Sequence, residues 1–160
     1  MFDHRAQPSA TAGAFRVLVV DDNADVAESL GVLLRMHGHG VLTCLHPNEA
    51  LKAAPGFDPQ VCVLDIGLPG MSGHELAKAL RSAGVTRATY IAVTGYGSDE
   101  ARRASDAAGF AMHLTKPVDP GYLLEKLASI KEARFMDDLG PKNGWFGSLR
   151  VASEASVRVS

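Results

Sequence analysis

The feature that most constrains the fold of this chain is a five-fold alternation of short apolar runs with segments of helical periodicity. Apolar runs rich in β-branched residues are typical of strands, and strands that alternate with helices fold as one parallel sheet with right-handed crossovers. The five predicted strands are Phe15–Val20, Gly40–Leu45, Val61–Asp65, Thr89–Thr94 and Phe110–Leu114. The sequence therefore predicts an α/β fold, a doubly wound five-stranded parallel sheet with helices on both faces.

The helices between these strands are marked by start and stop signals. The second is expected to begin at Pro47 and to stop at Pro55-Gly56, because proline suits the first turn and a Pro-Gly pair breaks a helix. The fourth, which Ser98 can cap, is predicted to pack thinly because small side chains occupy its expected inner face. Those side chains are Ala101, Ala104, Ala107 and Ala108.

One ordered domain is predicted over residues 15–133, with apolar periodicity throughout. Residues 1–14 are mixed and polar and are expected to be a disordered leader. Residues 134–160 lose the period and are expected to be a mobile tail. A docked tail is the alternative, because exposed aromatic pairs such as Trp145-Phe146 usually contact a surface.

Composition excludes several classes of function. A formal net charge of -2 gives no electrostatic basis for binding nucleic acid or an anionic membrane. Cys44 and Cys62 lie in apolar runs without metal-type or redox-type spacing, so both are expected to be buried in a reducing compartment. No apolar segment reaches membrane-spanning length. A cytoplasmic protein without a nucleic-acid or membrane partner is expected.

Polar residues stand where the predicted strands end. Asp21 and Asp22 follow the first strand, Asp65 ends the third, Thr94 ends the fourth and Lys116 follows the fifth. Each has an ordinary explanation alone: turn or helix capping for the acids, a strand position for the threonine, a solvated surface for the lysine. The carboxyl ends of parallel strands meet at one edge of a sheet, so together they indicate a single site.

Such a site has a defined chemistry. Three clustered carboxylates repel one another and need a cation; oxygen ligands favour a hard divalent ion, and Mg²⁺ suits a partly open site. A carboxylate beside Mg²⁺ can attack phosphorus and form an acyl phosphate. Lys116 and the Thr94 hydroxyl could then bind the phosphoryl oxygens, and Gly95 leaves space for that group to approach.

The same residues give the chain a resemblance to a known family. A paired acid after the first strand, an acid after the third, a threonine after the fourth and Lys-Pro after the fifth resemble the receiver domain of two-component response regulators. The segment Leu64–Gly73 (LDIGLPGMSG) is similar to the phosphorylation loop of that family, and the likeness runs from about Arg16 to Lys131. The resemblance implies a flavodoxin-like, chemotaxis-regulator-like fold with strand order 2-1-3-4-5.

By this resemblance, Asp65 is the phosphoacceptor. Asp22 is implied as a direct Mg²⁺ ligand and Asp21 as a ligand acting directly or through water, while Asp65 and the Gly67 carbonyl complete the set. Thr94 is implied as the switch hydroxyl and Lys116 as the phosphate-binding lysine, with Pro117 following it in a cis peptide bond. Gly95 leaves room for the phosphoryl group, and Gly67 and Tyr96 flank the site and are expected to tune hydrolysis.

One position departs from the family pattern. Three residues before the lysine, receivers usually carry Tyr or Phe, which swings inward when the threonine moves; this chain has His113. Histidine is smaller, polar and titratable, so an aromatic relay is not expected to operate in its usual form. Packing of a half-exposed histidine on the fifth strand and a pH-sensing role are the two alternatives.

The function implied is that of a phosphoacceptor signalling module in a two-component phosphorelay. A sensor histidine kinase or a histidine phosphotransfer protein would donate the phosphoryl group, and a downstream protein would bind around the fourth helix, fifth strand and fifth helix. The domain would catalyse only its own phosphorylation and dephosphorylation, so it is not expected to be an enzyme. No separate output domain is expected, and a phosphorylation-dependent dimer is one assembly that the resemblance allows.

Three other functions fit less well. A phosphohydrolase with an aspartyl nucleophile would carry it after the first strand with a second acid two residues on, which Asp21-Asp22-Asn23-Ala24 does not match. A flavin-binding electron carrier would need a phosphate cradle in this loop, which is acidic instead. A degenerate receiver acting only as a scaffold is disfavoured because every acidic position is filled.

Overall fold

The computed structural model describes residues 13–139 of the chain. Apart from residues 13–14 and 134–139, the predicted leader and tail lie outside the described residues, and so does the pair Trp145-Phe146.

Within residues 13–139, five strands alternate with five helices, as the apolar pattern predicts. The strands are β1 (Arg16–Val20), β2 (Gly40–Cys44), β3 (Val61–Asp65), β4 (Thr89–Thr94) and β5 (Met112–Thr115). The helices are α1 (Ala24–Met36), α2 (Pro47–Phe57), α3 (Gly73–Ser82), α4 (Asp99–Ala107) and α5 (Pro120–Leu139). The sheet and the first four helices belong to a unit that ends at Tyr122, and a second unit begins at Leu123.

All five strands run parallel in the order β2-β1-β3-β4-β5. The register aligns the carboxyl ends of the strands, since Asp65 pairs with Val93 and Thr94 pairs with Thr115. The doubly wound parallel sheet and the strand order 2-1-3-4-5 of a flavodoxin-like fold are thereby confirmed. The strand ends that carry the candidate site residues lie along one edge.

The sheet is buried on both faces, which explains why its central strands are continuously apolar. Leu18 of β1 packs in an apolar cluster with Ala50 of α2 and Leu76 of α3. The next residue, Val19, points to the other face and is equally buried, and α1 contributes the buried Leu34 outside that cluster. Helices therefore cover both faces, and each buried leucine or valine contributes about 1.5–3 kcal/mol to folding.

One helix end differs from the sequence prediction. The stop expected at Pro55-Gly56 is wrong, because α2 continues to Phe57. Pro55 lies in the last turn, where its missing N–H removes only one backbone hydrogen bond. Asp58, at a left-handed φ of 53°, then ends the helix and donates its N–H to the Ala54 carbonyl over 2.8 Å.

The inner face of α4 also differs from the prediction. Of the four alanines expected on that face, Ala104 and Ala107 are exposed and Ala101 and Ala108 are partly buried, while the buried residue of α4 is Ser105. Ser105 turns inward because its hydroxyl is hydrogen-bonded to Nε2 of His74 on α3, at 3.2 Å. The inward side of this helix therefore combines a polar contact with alanine packing, since Ala108 lies against the apolar cluster.

Candidate functional site

Three of the predicted site residues are buried at the carboxyl edge of the sheet. Asp21 is 3% exposed, Asp65 is 6% exposed and Thr94 is 6% exposed. Asp21 follows β1 and Asp65 ends β3, and these two strands are neighbours in the sheet. The edge therefore holds two carboxylates away from bulk water, which is costly unless they are compensated.

Lys116 provides that compensation. Its Nζ lies 2.9 Å from Oδ2 of Asp21 and 3.1 Å from Oδ2 of Asp65. Burial by itself lowers the pKa of Lys116, but the hydrogen bonds to the two carboxylates and their charges outweigh it and raise that pKa above its ordinary value. The lysine therefore carries a positive charge at neutral pH, next to both carboxylates.

The backbone around Lys116 directs it toward the acids. Its N–H donates to the Thr94 carbonyl at 2.8 Å, which extends the pairing of β4 and β5 beyond the last strand residue. The peptide bond between Lys116 and Pro117 is cis, as predicted from the sequence.

The second oxygen of each buried acid is held by its own loop. Oδ1 of Asp65 accepts the N–H of Gly67 at 2.9 Å, and Oδ1 of Asp21 accepts the N–H of Asn23 at 2.9 Å. Aspartate commonly binds the backbone two residues ahead, because its short side chain reaches that amide. Both carboxylates are thus oriented from either side, by the lysine and by a loop amide.

A metal site is outlined by the three acids predicted for it. Ligand oxygens of Asp21, Asp22 and Asp65 lie within 4.8 Å of one another, with Asp22 exposed to solvent. Three carboxylates face one ammonium, so two negative charges remain without compensation. This donor set of oxygens, open on the side of Asp22, fits a hard divalent cation such as Mg²⁺. The part of the Gly67 carbonyl in such a site stays a prediction.

The side of the site that would receive a phosphoryl group is open. Oγ1 of Thr94 accepts the N–H of Tyr96 at 3.1 Å, which leaves the hydroxyl proton available for donation. A side chain added at Gly95 would meet no heavy atom within 4 Å. Tyr96 is 79% exposed, so it flanks the site without covering it.

The loop after Asp65 depends on a glycine that the sequence reasoning did not single out. A Cβ on Gly73 would lie 2.5 Å from the Asp65 carbonyl oxygen and 2.8 Å from Cα of Ile66. Gly73 opens α3, and Ser72 and Glu75 form a capping box there. The sequence signal was present, since Ser-x-x-Glu before an apolar period marks a helix start.

His113 lies on β5 beside Ala92 of β4 and is partly buried. Its two ring nitrogens are buried and make no hydrogen bond to any described residue. The residue thus packs on the fifth strand with part of its surface exposed, while its ring nitrogens are shielded from solvent. The pH-sensing role stays a prediction.

The comparisons with known proteins agree with this geometry. The family model described as the response regulator receiver domain matches residues 17–128. An uncharacterized 14.6 kDa protein of Leptolyngbya boryana is 37% identical over 112 residues, covering 69% of this chain and 85% of that protein. The sensory/regulatory protein RpfC of Xanthomonas campestris is 33% identical over 130 residues, covering 79% of this chain but 17% of its own length.

A solved structure shows the same fold. The CheY-like response regulator receiver domain protein of Methanospirillum hungatei is similar at a TM-score of 0.71 and 30% sequence identity, covering 78% of this chain and 98% of that one.

Within residues 13–139, no helix is long and apolar enough to cross a membrane. The cytoplasmic location stays a prediction.

Proposed function

The chain belongs to the response regulator receiver domain family, and on this basis we propose that it is a phosphoacceptor signalling domain of a two-component system. Asp65 would take a phosphoryl group from a phosphohistidine of a sensor histidine kinase or a histidine phosphotransfer protein. The observation that carries the proposal is the position of Asp65: it is buried at a strand end, paired with Lys116 at 3.1 Å and clustered with Asp21 and Asp22.

Asp21, Asp22 and Asp65 are the residues that would hold Mg²⁺, together with the Gly67 carbonyl. Bound there, the ion would offset the two uncompensated charges and the negative charge of an incoming phosphoryl group. Asp21 and Asp65 are already oriented by loop amides, so little side-chain entropy remains to be lost when they bind a cation.

The transfer itself uses groups of this chain. A carboxylate oxygen of Asp65 attacks phosphorus, the P–N bond of the phosphohistidine breaks, and its electron pair returns to the imidazole. Lys116 exchanges its contact with Oδ2 of Asp65 for a phosphoryl oxygen while keeping Asp21, and its raised pKa keeps it charged throughout. The Thr94 hydroxyl donates a hydrogen bond to another phosphoryl oxygen.

The acyl phosphate acts as a switch if it favours one of two conformations. Drawing the Thr94 hydroxyl toward the phosphoryl group competes with its contact to the Tyr96 amide, so the loop leading into α4 changes with phosphorylation. We propose that a downstream protein reads this change at α4 and β5. The chain would catalyse only its own phosphorylation and dephosphorylation.

Phosphoryl transfer is tested with acetyl phosphate or phosphoramidate and Mg²⁺, followed by intact-mass measurement. Wild type is expected to gain one phosphoryl adduct, and Asp65→Asn none. Asp99→Asn, an exposed acid outside the cluster, serves as the matched control and is expected to be labelled as wild type is. Chelation of Mg²⁺ with EDTA should abolish labelling. Equal labelling of Asp65→Asn, or none of wild type by a competent donor, would contradict the proposal.

A further inference from the structure

Helix α4 is held unevenly along its length. The side chains of residues 99–104 form no hydrogen bond or ion pair with any other residue that the structure describes, and only Ala101 among them is partly buried. The loop before the helix, residues 95–98, is exposed as well. In contrast, Ser105 and Phe110, which lie in the second half of α4 and just beyond it, are buried. Packing therefore secures the C-terminal half of α4 and leaves its N-terminal half on the surface.

Arg81 of α3 contacts the C-terminal end of α4. Its Nη1 donates to the Ala108 carbonyl at 2.8 Å, and its Nη2 donates to the Gly109 carbonyl at 3.1 Å. The last carbonyls of a helix have no partner within it and form the negative end of its dipole, so a cation that donates hydrogen bonds there is favourable. The last turn of α4 contains no basic residue. Arg81 therefore supplies this positive charge from the neighbouring helix.

The guanidinium of Arg81 is itself held by β4. Its Cζ lies 4.4 Å from the centroid of the Tyr90 ring, which is within the range of a cation–π contact. The Tyr90 ring is buried, and its hydroxyl donates to the Val85 carbonyl at 2.6 Å, so the ring is fixed in place. A Cβ on Gly109 would lie 2.8 Å from Nη2 of Arg81, so the glycine leaves the space that the guanidinium occupies. Arg81 thus joins α3, β4 and the end of α4.

Two further contacts hold the same half of α4. The Ser105 hydroxyl is hydrogen-bonded to Nε2 of His74 on α3 at 3.2 Å. The Phe110 ring packs edge-on against the Tyr90 ring, with centroids 6.1 Å apart. Among the residues that the structure describes, the hydrogen bonds and ring contacts from α4 and its C-terminal turn to α3 or β4 therefore all lie at residue 105 or beyond.

We propose that Arg81 anchors the C-terminal end of α4, so that the helix pivots about this end and its exposed first half, residues 99–104, is the part that moves. The consequence for signalling rests on the proposed function. A change at Thr94 would pass through the loop of residues 95–98 into the first half of α4 and stop at the anchor. A downstream protein would then read the position of residues 99–104. The anchor itself does not need phosphorylation.

Hydrogen exchange of the unphosphorylated full chain, followed for each amide by NMR, tests the anchor. The amide of Arg102 donates to the Ser98 carbonyl at 3.1 Å, and the amide of Phe110 donates to the Ser105 carbonyl at 3.0 Å. After correction for the intrinsic exchange rates, Arg102 is expected to exchange about tenfold faster than Phe110 or more, because the first half of α4 opens without the second. Similar protection at both amides would contradict a pivot.

Three variants separate the anchor from ordinary fraying of a helix end. Arg81→Met removes two hydrogen bonds and the charge, and should lower the protection of Ala108 and Phe110 by about tenfold. Arg81→Lys keeps the charge without the planar fork of donors and should restore only part of that protection. Arg35→Met is the matched control, because Arg35 lies in the last turn of α1 and donates to the Val41 carbonyl at 3.3 Å. Its loss should leave α4 unchanged.

Labelling with acetyl phosphate and Mg²⁺ tests where the motion stops. In labelled wild type, amide chemical shifts should change in residues 95–104 and hardly change in residues 108–110. In labelled Arg81→Met, the changes should extend into residues 108–110, because the end of the helix is no longer held. Changes of equal size in both halves of wild-type α4 would contradict the pivot.

Undiminished protection of Ala108 and Phe110 in Arg81→Met, or an equal loss in Arg35→Met, would overturn the anchor. The exchange pattern of wild type keeps the test decisive if Arg81→Met folds poorly, because it needs no variant. Neither exchange experiment requires a phosphoryl group on Asp65, so failure of the anchor and failure of the phosphoacceptor role are distinguishable.

Discussion

Removing the charge of Lys116 is the sharpest test of how the acidic edge is held together. In Lys116→Met the length of the side chain is kept, but Asp21 and Asp65 lose the ammonium that lies 2.9 Å and 3.1 Å from their oxygens. Both acid side chains are nearly buried, at 4% and 7% exposed. Breaking a buried ion pair by removing one partner costs about 3–5 kcal/mol. Because the Lys116 side chain keeps 28% exposure, we expect about 3 kcal/mol, the lower end of that range.

Urea unfolding with EDTA and with saturating Mg²⁺ measures this effect. In EDTA, Lys116→Met is expected to unfold with a free energy lower than wild type by about 3 kcal/mol. Mg²⁺ should stabilise the variant more than wild type, because a cation that binds Asp21 and Asp65 no longer competes with the lysine. Lys52→Met removes an exposed lysine of α2. It should change neither the unfolding free energy in EDTA nor the stabilisation by Mg²⁺ appreciably.

The difference in unfolding free energy between wild type and Lys116→Met should depend on pH in one direction only. The pKa of Lys116 is raised above its ordinary value of 10.5, so its contribution to stability is complete below that value and is lost as pH rises through the raised pKa. The gap between wild type and Lys116→Met should therefore stay constant from neutral pH to about pH 10 and shrink above it. A gap under about 1 kcal/mol in EDTA, the size typical of an exposed pair, or equal stabilisation of both proteins by Mg²⁺, would refute the charge argument.

Two further substitutions probe the scaffold of the site. Gly73→Ala should destabilise the fold by about 1–3 kcal/mol and slow labelling of Asp65, because the new Cβ meets the Asp65 carbonyl oxygen at 2.5 Å. As a control, Gly56→Ala, whose Cβ meets nothing within 4 Å, should stabilise α2 by up to about 1 kcal/mol. Equal unfolding free energies of the two variants would contradict the crowding at Gly73. Tyr90→Phe should cost about 1–2 kcal/mol in urea unfolding, since its hydroxyl donates to the buried Val85 carbonyl at 2.6 Å, and a cost near zero would show that water replaces the bond.

The sequence was sufficient for the sheet and its edge because both depend on local signals. Each strand is a continuous apolar run, and each polar residue of the site comes at the end of such a run. A parallel sheet then aligns those ends whatever the details of its helices. For this reason Asp21, Asp65 and Thr94 could be placed together from the sequence, although they are far apart along the chain.

The features that the sequence did not reveal depend on contacts between distant elements. Alanine spacing on α4 predicted an apolar inner face, but the residue buried there is Ser105, whose hydroxyl is hydrogen-bonded to His74 of another helix. The crowding at Gly73 arises because α3 begins directly against the backbone of Asp65. A residue's own neighbours in sequence cannot predict either contact, because each is set by how a helix docks on the sheet.

The pairing of β4 with β5 joins the proposed phosphoacceptor site to His113. Thr94 and Ala92 are two residues apart on β4 and therefore face the same side of the sheet, and His113 lies beside Ala92 in register. The Lys116 amide donates to the Thr94 carbonyl at 2.8 Å, so the ends of both strands move together. A phosphoryl group that drew Lys116 and the Thr94 hydroxyl toward Asp65 would thus act on the carboxyl ends of both strands, two to three residues beyond the pair formed by Ala92 and His113.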